Sequence, residues 1–212
     1  LSKISDVHIQ TFLTSHSAHI ANTMDFSNIR YAQKTKRGVV YKDLGAFGAE
    51  DPENMDFIKK YLTLSRCDLF FADKVIFVEG ASERLLVPDM IEKCDKSGLF
   101  APITYKLPAQ YYALIEIGGA YAYKFIPFVR FLGIPCLIIT DIDAMKDGRT
   151  KSVVSKGKTT SNSTIKWWVR QVKGLPIADK SKIKLEDIIN LTADEKTIDK
   201  CHIEFQVAEN GL

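Results

Sequence analysis

Val75-Ile-Phe-Val-Glu-Gly-Ala-Ser-Glu83 and Leu137-Ile-Ile-Thr-Asp-Ile-Asp143 are the two stretches of this 212-residue chain that decide its fold. Each begins with a short apolar run, which is typical of a buried strand, and each places two carboxylates at or beyond the carboxyl end of that run. In open α/β sheets, ligands bind outside the carboxyl ends of the strands. The two stretches therefore predict both a sheet and the edge of that sheet where a site should lie.

The first acidic pair is Glu79 and Glu83. Gly80 interrupts the apolar run directly after Glu79, and Ser82 is a candidate N-cap for a helix over residues 83–96. Glu79 would then lie at a strand tip and Glu83 in the first helical turn, so that both side chains can face one cation. A Glu in the first turn of a helix is also a common partner of the helix dipole, which is the alternative for Glu83.

The second acidic pair is Asp141 and Asp143, which point to the same face if the strand continues through them. Asp141 alone could equally be a turn residue after a strand. Four carboxylates in one dry crevice repel one another unless a divalent cation neutralises them, and hard cations such as Mg²⁺ prefer oxygen ligands. The conjunction of the two pairs therefore favours a metal site.

The surrounding sequence alternates between the two element types. Apolar runs and helical stripes predict, in order, strand 74–79, helix 83–96, strand 111–117, helix 120–132 and strand 135–141. The pair Gly118-Gly119 is either a phosphate approach site or a helix-entry turn, and Pro127 should kink or break its helix. This order predicts an α/β fold with a parallel sheet, right-handed crossovers and helices on both faces.

The flanking regions give coarser predictions. Residues 1–25 should form a strand, a turn and the start of a helix, and residues 30–41 are basic with β-type residues at their end. Residues 45–54 are rich in glycine and acid and predict a loop, whereas residues 55–69 have helical spacing. Towards the other end, a short helix or strand is expected over 182–191 and a final strand over 202–207.

A basic segment follows the second acidic pair; between Met145 and Lys173 its cations are Lys146, Arg149, Lys151, Lys156, Lys158, Lys166, Arg170 and Lys173. Gly148, Gly157 and the polar run 159–164 predict a mobile loop beside the carboxylates. Lys151, Lys156 and Lys158 are the candidates for contacting a phosphate backbone there. A solvated loop without a ligand is the alternative.

A helix should follow this loop. Ser163 or Thr164 is the candidate N-cap, and the helix carries the adjacent Trp167 and Trp168. Adjacent residues on a helix point in different directions, so one indole should be in the core and the other exposed. Base stacking by the exposed indole is an alternative to packing.

Composition narrows the class of protein. A formal charge of +3 is too small to demonstrate nucleic-acid binding by itself. The four cysteines are widely spaced with no C-x-x-C pair, which excludes a zinc ribbon and a disulfide framework. No secretory signal is present and no apolar run approaches the roughly 18 residues of a membrane span. We therefore expect a protein of the cytoplasm with no membrane partner.

The acidic stretches resemble a known family. Val78-Glu-Gly-Ala-Ser-Glu83, Ile117-Gly-Gly119 and Thr140-Asp-Ile-Asp143 look like the Toprim domain of topoisomerases, primases and several nucleases. Phe70-Phe-Ala-Asp-Lys-Val-Ile-Phe-Val-Glu79 resembles the start of Toprim in the overcoming-lysogenization-defect (OLD) family. Those proteins fuse an ABC-type ATPase to a C-terminal Toprim nuclease.

The resemblance implies a division of the chain. His8-Ile-Gln-Thr-Phe-Leu-Thr-Ser-His-Ser17 resembles the last strand and histidine switch of ABC ATPases, so His16 would sense the γ-phosphate; a surface histidine after a strand is the alternative. Residues 1–70 would be the C-terminal end of an ATPase domain with a connector, and 71–212 a Toprim catalytic domain. Because no G-x-x-x-x-G-K-[ST] motif occurs, ATP would bind only through sequence outside this chain.

The chain begins at Leu1, and we interpret it as a fragment of a longer protein that is incomplete at its C-terminus. The OLD family places a functional lysine late in its Toprim region, and we match no residue of this chain to it. A complete active site need not be present in these 212 residues.

The resemblance also implies a function, namely a DNA endonuclease that uses Mg²⁺ or Mn²⁺. Glu79, Glu83, Asp141 and Asp143 would be its catalytic and metal residues in two-metal hydrolysis, with Glu79 also in an acid/base role. Other implied features are a homodimer of the full-length protein, phage defence and an associated defence-system partner. Choosing DNA over RNA rests on the resemblance alone.

Other functions stay open. One alternative is a different Toprim activity, such as RNA cleavage or nucleotidyl transfer, and another is a non-catalytic nucleic-acid-binding module that reports to an ATPase. No tyrosine has the sequence context of a topoisomerase nucleophile, and the zinc ribbon of primases is missing. Hydrolysis is therefore favoured over strand passage and primer synthesis.

Overall fold

The computed structural model describes residues 10–65, 67–99, 101, 103, 106–117, 121–176 and 183–205. The N-terminal third is formed by α1 (Ala18–Thr23), β1 (Arg30–Thr35), β2 (Gly38–Asp43), α2 (Leu44–Glu50) and α3 (Pro52–Ser65). Strands β1 and β2 form an antiparallel hairpin, as the β-type residues of this region indicate. The strand predicted at the start of the chain is not formed in residues 10–17, and residues 1–9 lie outside the described part.

The loop predicted over residues 45–54 is wrong, because this stretch is occupied by α2 and the start of α3. The Asp43 carboxylate caps α2 by accepting hydrogen bonds from the backbone N–H groups of Gly45 (2.8 Å) and Ala46 (3.4 Å). Pro52 opens α3, where a missing N–H costs nothing. Asp43 and Pro52 are helix-start signals that are visible in the sequence. The loop was predicted from glycine and acid content, which does not take these signals into account.

The central elements follow the predicted alternation: β3 (Lys74–Val78), α4 (Ala81–Lys96), β4 (Tyr112–Glu116), α5 (Ile126–Leu132) and β5 (Cys136–Ile139). The strands predicted over 74–79 and 135–141 end at Val78 and Ile139, so the acidic residues come after the strands. The helix predicted over 120–132 is interrupted. A 3₁₀ turn covers Ala122–Lys124, and Pro127 lies in the first turn of α5.

The C-terminal part contributes short elements: β6 (Ala144–Met145), β7 (Thr159–Thr160), α6 (Ser163–Lys173), α7 (Leu185–Ile189), β8 (Thr197–Ile198) and β9 (Cys201–Glu204). The central sheet has the order β4-β3-β5-β9-β8, and β8 is its single antiparallel strand. The structure is therefore a mixed α/β fold with a mostly parallel five-stranded sheet, as predicted.

Helices cover both faces of this sheet. Phe77 packs on one face with Phe128 of α5 and Trp168 of α6, all of them fully buried. The other face carries a smaller cluster in which Ile76 and Val78 meet Val87 of α4. This alternation along β3 is the period of a strand that is buried on both sides.

The N-terminal elements share the larger core. The Phe47 ring of α2 lies 5.3 Å from that of Phe128 in α5, and both are buried. Gly133, with φ +76°, ends α5, and its carbonyl accepts a hydrogen bond from the Gln33 amide of β1 at 3.3 Å. A Cβ on Gly133 would lie 2.7 Å from that amide, so this contact requires glycine. The division of the chain at residue 70 stays a prediction.

Cys94, Cys136 and Cys201 are free thiols, in line with the absence of a disulfide framework. None of the described helices has the length and apolar character needed to cross a bilayer.

Candidate functional site

Glu79 is the first residue after β3 and is held by β5 and α6. Its Oε1 atom accepts hydrogen bonds from the Thr140 hydroxyl, from the Asp141 backbone N–H at 3.1 Å and from the Asn162 side-chain amide at 3.0 Å. Within the described part of the chain, no hydrogen bond reaches Oε2. One carboxylate oxygen of Glu79 is therefore fixed by three donors, and the other accepts no hydrogen bond from the described residues.

Asn162 was missed by the sequence analysis, which placed the cap of α6 at Ser163 or Thr164. Asn162 is the N-cap: its Oδ1 accepts a hydrogen bond from the Ile165 N–H at 3.1 Å. Asparagine is among the preferred N-cap residues, and its position just before the helix was the available signal. Its contact with Glu79 spans 83 positions of sequence, and no local pattern reports such a contact.

Glu83 closes the first turn of α4. Its Oε2 accepts a hydrogen bond from the Gly80 backbone N–H at 2.9 Å, and Gly80, not Ser82, is the N-cap. The predicted Ser82 cap is wrong because the helix begins at Ala81, two residues earlier than expected. Glu83 thus stabilises the start of its own helix, which is close to the alternative role stated above. Its charge also acts on Asp141 of the second acidic pair.

Asp141 and Asp143 lie beyond the end of β5 and are not on a continuing strand. Asp143 has φ +49°, a left-handed conformation that Asp tolerates better than most residues. This bend brings its carbonyl to the Ser161 N–H at 3.0 Å, so the chain leaving β5 is tied to the chain entering α6. The continuing strand on which the predicted common face depended is therefore not formed.

The electrostatics of the site are repulsive. Burial is the main cause that raises the pKa of the Glu79 carboxyl, and the negative charges of Asp141 and Asp143 add to it, against the hydrogen bonds to Oε1. Asp141 is exposed as a residue, yet partial burial of its carboxyl raises its pKa, followed by the charges of Asp143 and Glu83. The structure thus brings Asp141 and Asp143 into electrostatic range of Glu79, and Asp143 and Glu83 into range of Asp141.

The wall of the site explains the burial of Glu79. A small pocket at the carboxyl ends of the strands is lined by Glu79, Thr140 and apolar side chains that include Ile117 and Ala122. Apolar walls disfavour the charged form of a carboxyl. The predicted glycine pair 118–119 lies outside the described residues.

Glu116 provides a contrast at the same edge of the sheet. It ends β4, and the Arg84 guanidinium of α4 lies 3.5 Å from its carboxylate. The described charges that act on Glu79 and Asp141 are carboxylates only. Among the described residues, the edge therefore has one acid paired with an arginine and a group of acids with no cation acting on Glu79 or Asp141.

The donor set suits a hard divalent cation, although the side chains do not converge on one point. Among the described residues, no group of three or more His, Cys, Asp or Glu side chains is placed to hold one ion. Mg²⁺ commonly takes only one or two carboxylates and completes its shell with water and substrate phosphate oxygens. The free Oε2 of Glu79 and the exposed Asp141 fit that requirement.

The first part of the basic segment, over residues 144–160, forms a hydrogen-bonded hairpin where a loop was predicted. Its strands pair Ala144 with Thr160 and Met145 with Thr159. The Thr159 hydroxyl donates to the Ile183 carbonyl at 2.6 Å. A Cβ at Gly157 would lie 2.9 Å from the Ala144 side chain. The glycine therefore serves close packing, although the sequence suggested flexibility.

The predicted phosphate-binding lysines project from this hairpin. Lys151, Lys156 and Lys158 are exposed, and none of them forms an ion pair with a described carboxylate. Lys166, in α6, donates to the Ser161 carbonyl at 3.3 Å. Burial, followed by the charge of Arg170, lowers the pKa of Lys166.

The remaining candidates are His16 and the two tryptophans of α6. His16 is exposed, and its ring lies 6.4 Å from that of Phe71. Trp168 is fully buried and donates to the Glu195 carbonyl at 2.8 Å, whereas Trp167 is partly exposed. The prediction of one core indole is confirmed.

Comparison with known proteins agrees with this architecture. Residues 70–143 match the family model described as "Overcoming lysogenization defect protein-like, TOPRIM domain". This range includes β3, β4, β5 and all four carboxylates. The predicted OLD-like Toprim domain is thereby confirmed.

Two curated relatives extend the similarity beyond that range. The chain is 28% identical over 207 residues to Endonuclease GajA of Bacillus cereus (strain HuB5-5), covering 88% of the chain and 29% of that protein. It is 26% identical over 146 residues to Endonuclease GajA of Bacillus cereus (strain VD045), covering 67% of the chain and 22% of the relative. The chain thus spans under a third of the length of either relative.

Proposed function

We propose that this chain carries the Toprim catalytic part of an OLD-like DNA endonuclease that depends on a divalent cation. The observation that carries the proposal is the contrast at the sheet edge. Glu116 is paired with Arg84, whereas Glu79 and Asp141 face only other carboxylates among the described residues. The names of the two relatives support nuclease activity over the other Toprim activities.

The four carboxylates have unequal parts in this proposal. Glu79 and Asp141 would hold Mg²⁺ or Mn²⁺, with Asp143 and Glu83 adding negative charge around them. When bound, such ions polarise the phosphate and favour deprotonation of an attacking water. Glu79 would move the proton through Oε2, because Oε1 is already engaged by three donors.

The hairpin supplies the proposed contact with nucleic acid. Its two ends are fixed at the acidic edge, through Ser161 to Asp143 and through Asn162 to Glu79. Exposed Lys151, Lys156 and Lys158 would bind phosphates of the DNA backbone on either side of the cleaved bond. Such contacts position the duplex without reading its sequence.

His16 is the residue of this chain that we propose to respond to ATP. In this interpretation residues 1–70 end an ABC-type ATPase domain, and His16 reports the γ-phosphate bound by sequence outside this chain. The shared core between α2 and α5 would connect that domain mechanically to the sheet.

The test is a cleavage assay on the full-length protein. Supercoiled plasmid and a structured RNA are incubated with Mg²⁺, with Mn²⁺ and with a chelator. We expect the plasmid to be nicked with Mg²⁺ or Mn²⁺. Chelator should abolish the nicking, and added metal should restore it. Cleavage of RNA alone would replace the substrate assignment, and metal-independent cleavage would reject the proposed mechanism.

A further inference from the structure

Asn162 joins the acidic edge to α6 through both ends of its side-chain amide. It is 1% exposed. Its Nδ2 donates to the Thr140 hydroxyl at 2.7 Å, to the Asp141 carbonyl at 2.8 Å and to Glu79 Oε1 at 3.0 Å. Its Oδ1 accepts from the Ile165 N–H at 3.1 Å. One amide group thus contacts the ends of β3 and β5 and begins a helix.

We infer that Asn162 is a positioning residue, which holds Glu79 and the end of β5 in one arrangement with Oε2 of Glu79 left for the ligand. The inference rests on the proposed function in taking Glu79 as a ligand-binding carboxylate. Asn162 lies outside the family match at residues 70–143. The sequence pattern did not give it a role either.

Capping alone does not account for this choice of side chain. Ser and Asp cap helices about as well as Asn, because capping needs only an acceptor oxygen. The contact with Glu79 needs a donor, and Asn carries a donor and an acceptor on the same carbon. An Asp at position 162 would place a second acceptor against Glu79 Oε1, and Ser would remove the amide that is one of the three donors to that oxygen.

The side chain is also fixed before any ligand binds. The Asn162 backbone N–H donates to the Thr160 hydroxyl at 2.9 Å, and that hydroxyl donates to the Ile142 carbonyl. Both ends of the amide are occupied, so its rotamer and its flip state are set by the network. A group held in this way orients its partner without a cost of ordering at each binding event.

Two backbone amides report the two roles separately. The Asp141 N–H is bonded to Glu79 Oε1 and therefore reports the position of Glu79. The Ile165 N–H is bonded to Asn162 Oδ1 and reports the cap of α6. Hydrogen exchange at these amides can be followed in metal-free protein by NMR, independently of catalysis.

The decisive variant is Asn162→Ser, which keeps a capping oxygen and loses the side-chain amide that donates to Glu79. We expect Asp141 N–H to exchange faster by about tenfold or more, with Ile165 N–H unchanged. Asn162→Ala should accelerate exchange at both. Protection of Asp141 at the wild-type level in Asn162→Ser would overturn the inference.

Direct Mn²⁺ binding, followed by electron paramagnetic resonance, completes the test. Removing a group that orients a metal ligand typically weakens metal affinity by about 10–100-fold, so Asn162→Ser should weaken Mn²⁺ binding and nicking within that range. Faster exchange with unchanged Mn²⁺ affinity and nicking would overturn the positioning role. If wild-type protein neither binds Mn²⁺ nor nicks DNA while the exchange pattern holds, the proposed function fails and the link from Asn162 to Glu79 stands.

Discussion

Glu83 accepts a hydrogen bond from the backbone N–H of Gly80 at 2.9 Å, so the second member of the first acidic pair is engaged by its own helix. Glu79, four residues earlier, is engaged through one oxygen by β5 and α6. The two carboxylates of this pair therefore differ in how much of each is available to a ligand. Asp143 differs from Asp141 in its backbone, which has a positive φ and accepts a hydrogen bond from Ser161.

Glu79→Gln should abolish metal-dependent nicking, with a loss on the order of 10²–10⁴-fold, because the substitution removes a charge and a proton-transfer group and preserves size. Asp141→Asn should be similarly severe. Glu83→Gln and Asp143→Asn should be milder or depend on the metal, since Gln keeps the capping contact and Asn tolerates the left-handed turn. Plasmid nicking with Mg²⁺ and with Mn²⁺ measures each effect.

The matched control for these variants is Glu116→Gln. It changes an acid at the same edge of the sheet that already pairs with Arg84. We expect near wild-type nicking from it. Full activity of Glu79→Gln would remove the nuclease site from this edge.

Stability should depend on pH through the acidic edge. Burial and neighbouring charges raise the pKa of Glu79 and Asp141. A carboxyl with a higher pKa in the folded state binds more protons there, so its contribution to stability is lost as pH rises through the folded-state pKa. Glu79→Gln should therefore melt about 1–4 °C above wild type near neutral pH without metal, and the difference should vanish below about pH 4.

Thermal melting from acidic to neutral pH in chelator, with Glu116→Gln as control, measures this difference. Millimolar Mg²⁺ should raise the melting temperature of wild type more than that of Glu79→Gln. A variant that melts below wild type at neutral pH would mean that the carboxylates do not repel one another in the folded state.

Neutralising Lys151, Lys156 and Lys158 to Gln should weaken DNA binding and flatten its dependence on salt. Each lost phosphate contact reduces the slope of log K against log salt by roughly one. Lys93 and Lys96 of α4 are suitable controls, because they are paired with Asp89 and Glu92. An unchanged slope in the triple variant would show that the hairpin lysines are only solvated.

His16→Ala should reduce ATP hydrolysis by the full-length protein and leave metal-dependent nicking largely intact. His19→Ala is the matched control, since His19 is also exposed and lies in α1. Steady-state ATPase rates and plasmid nicking are compared for both variants. Equal ATPase rates for His16→Ala and His19→Ala would favour a surface histidine without a switch role.

The sheet could be predicted from sequence because its signals are local. Apolar runs before Glu79 and Asp141 identify β3 and β5, and Pro127 marks the break before α5. The boundaries were less accurate: both strands end before their acidic residues. Asp141 and Asp143 consequently lie in a turn with a positive φ at Asp143, and the sequence did not predict this turn.

The candidate site could be predicted only in part, because its support is non-local. The carboxylates follow from motif and spacing, but Asn162 contacts Glu79 across 83 positions. The hairpin was mistaken for a mobile loop because Gly157 suggests flexibility, whereas tertiary packing against Ala144 requires its small size. A requirement for a small residue of this kind can be recognised only when the three-dimensional positions of the packed residues are known.

The closure of the hairpin by Ser161 and Asp143 has an evolutionary consequence. The entropy of closing a loop grows slowly with its length, so the exposed part of the hairpin, residues 146–151, can be lengthened or shortened at little cost in closure entropy. The four carboxylates lie outside this part and keep their supports. Under the proposed function, the contacts of the hairpin with a substrate could therefore vary without a change at the carboxylates.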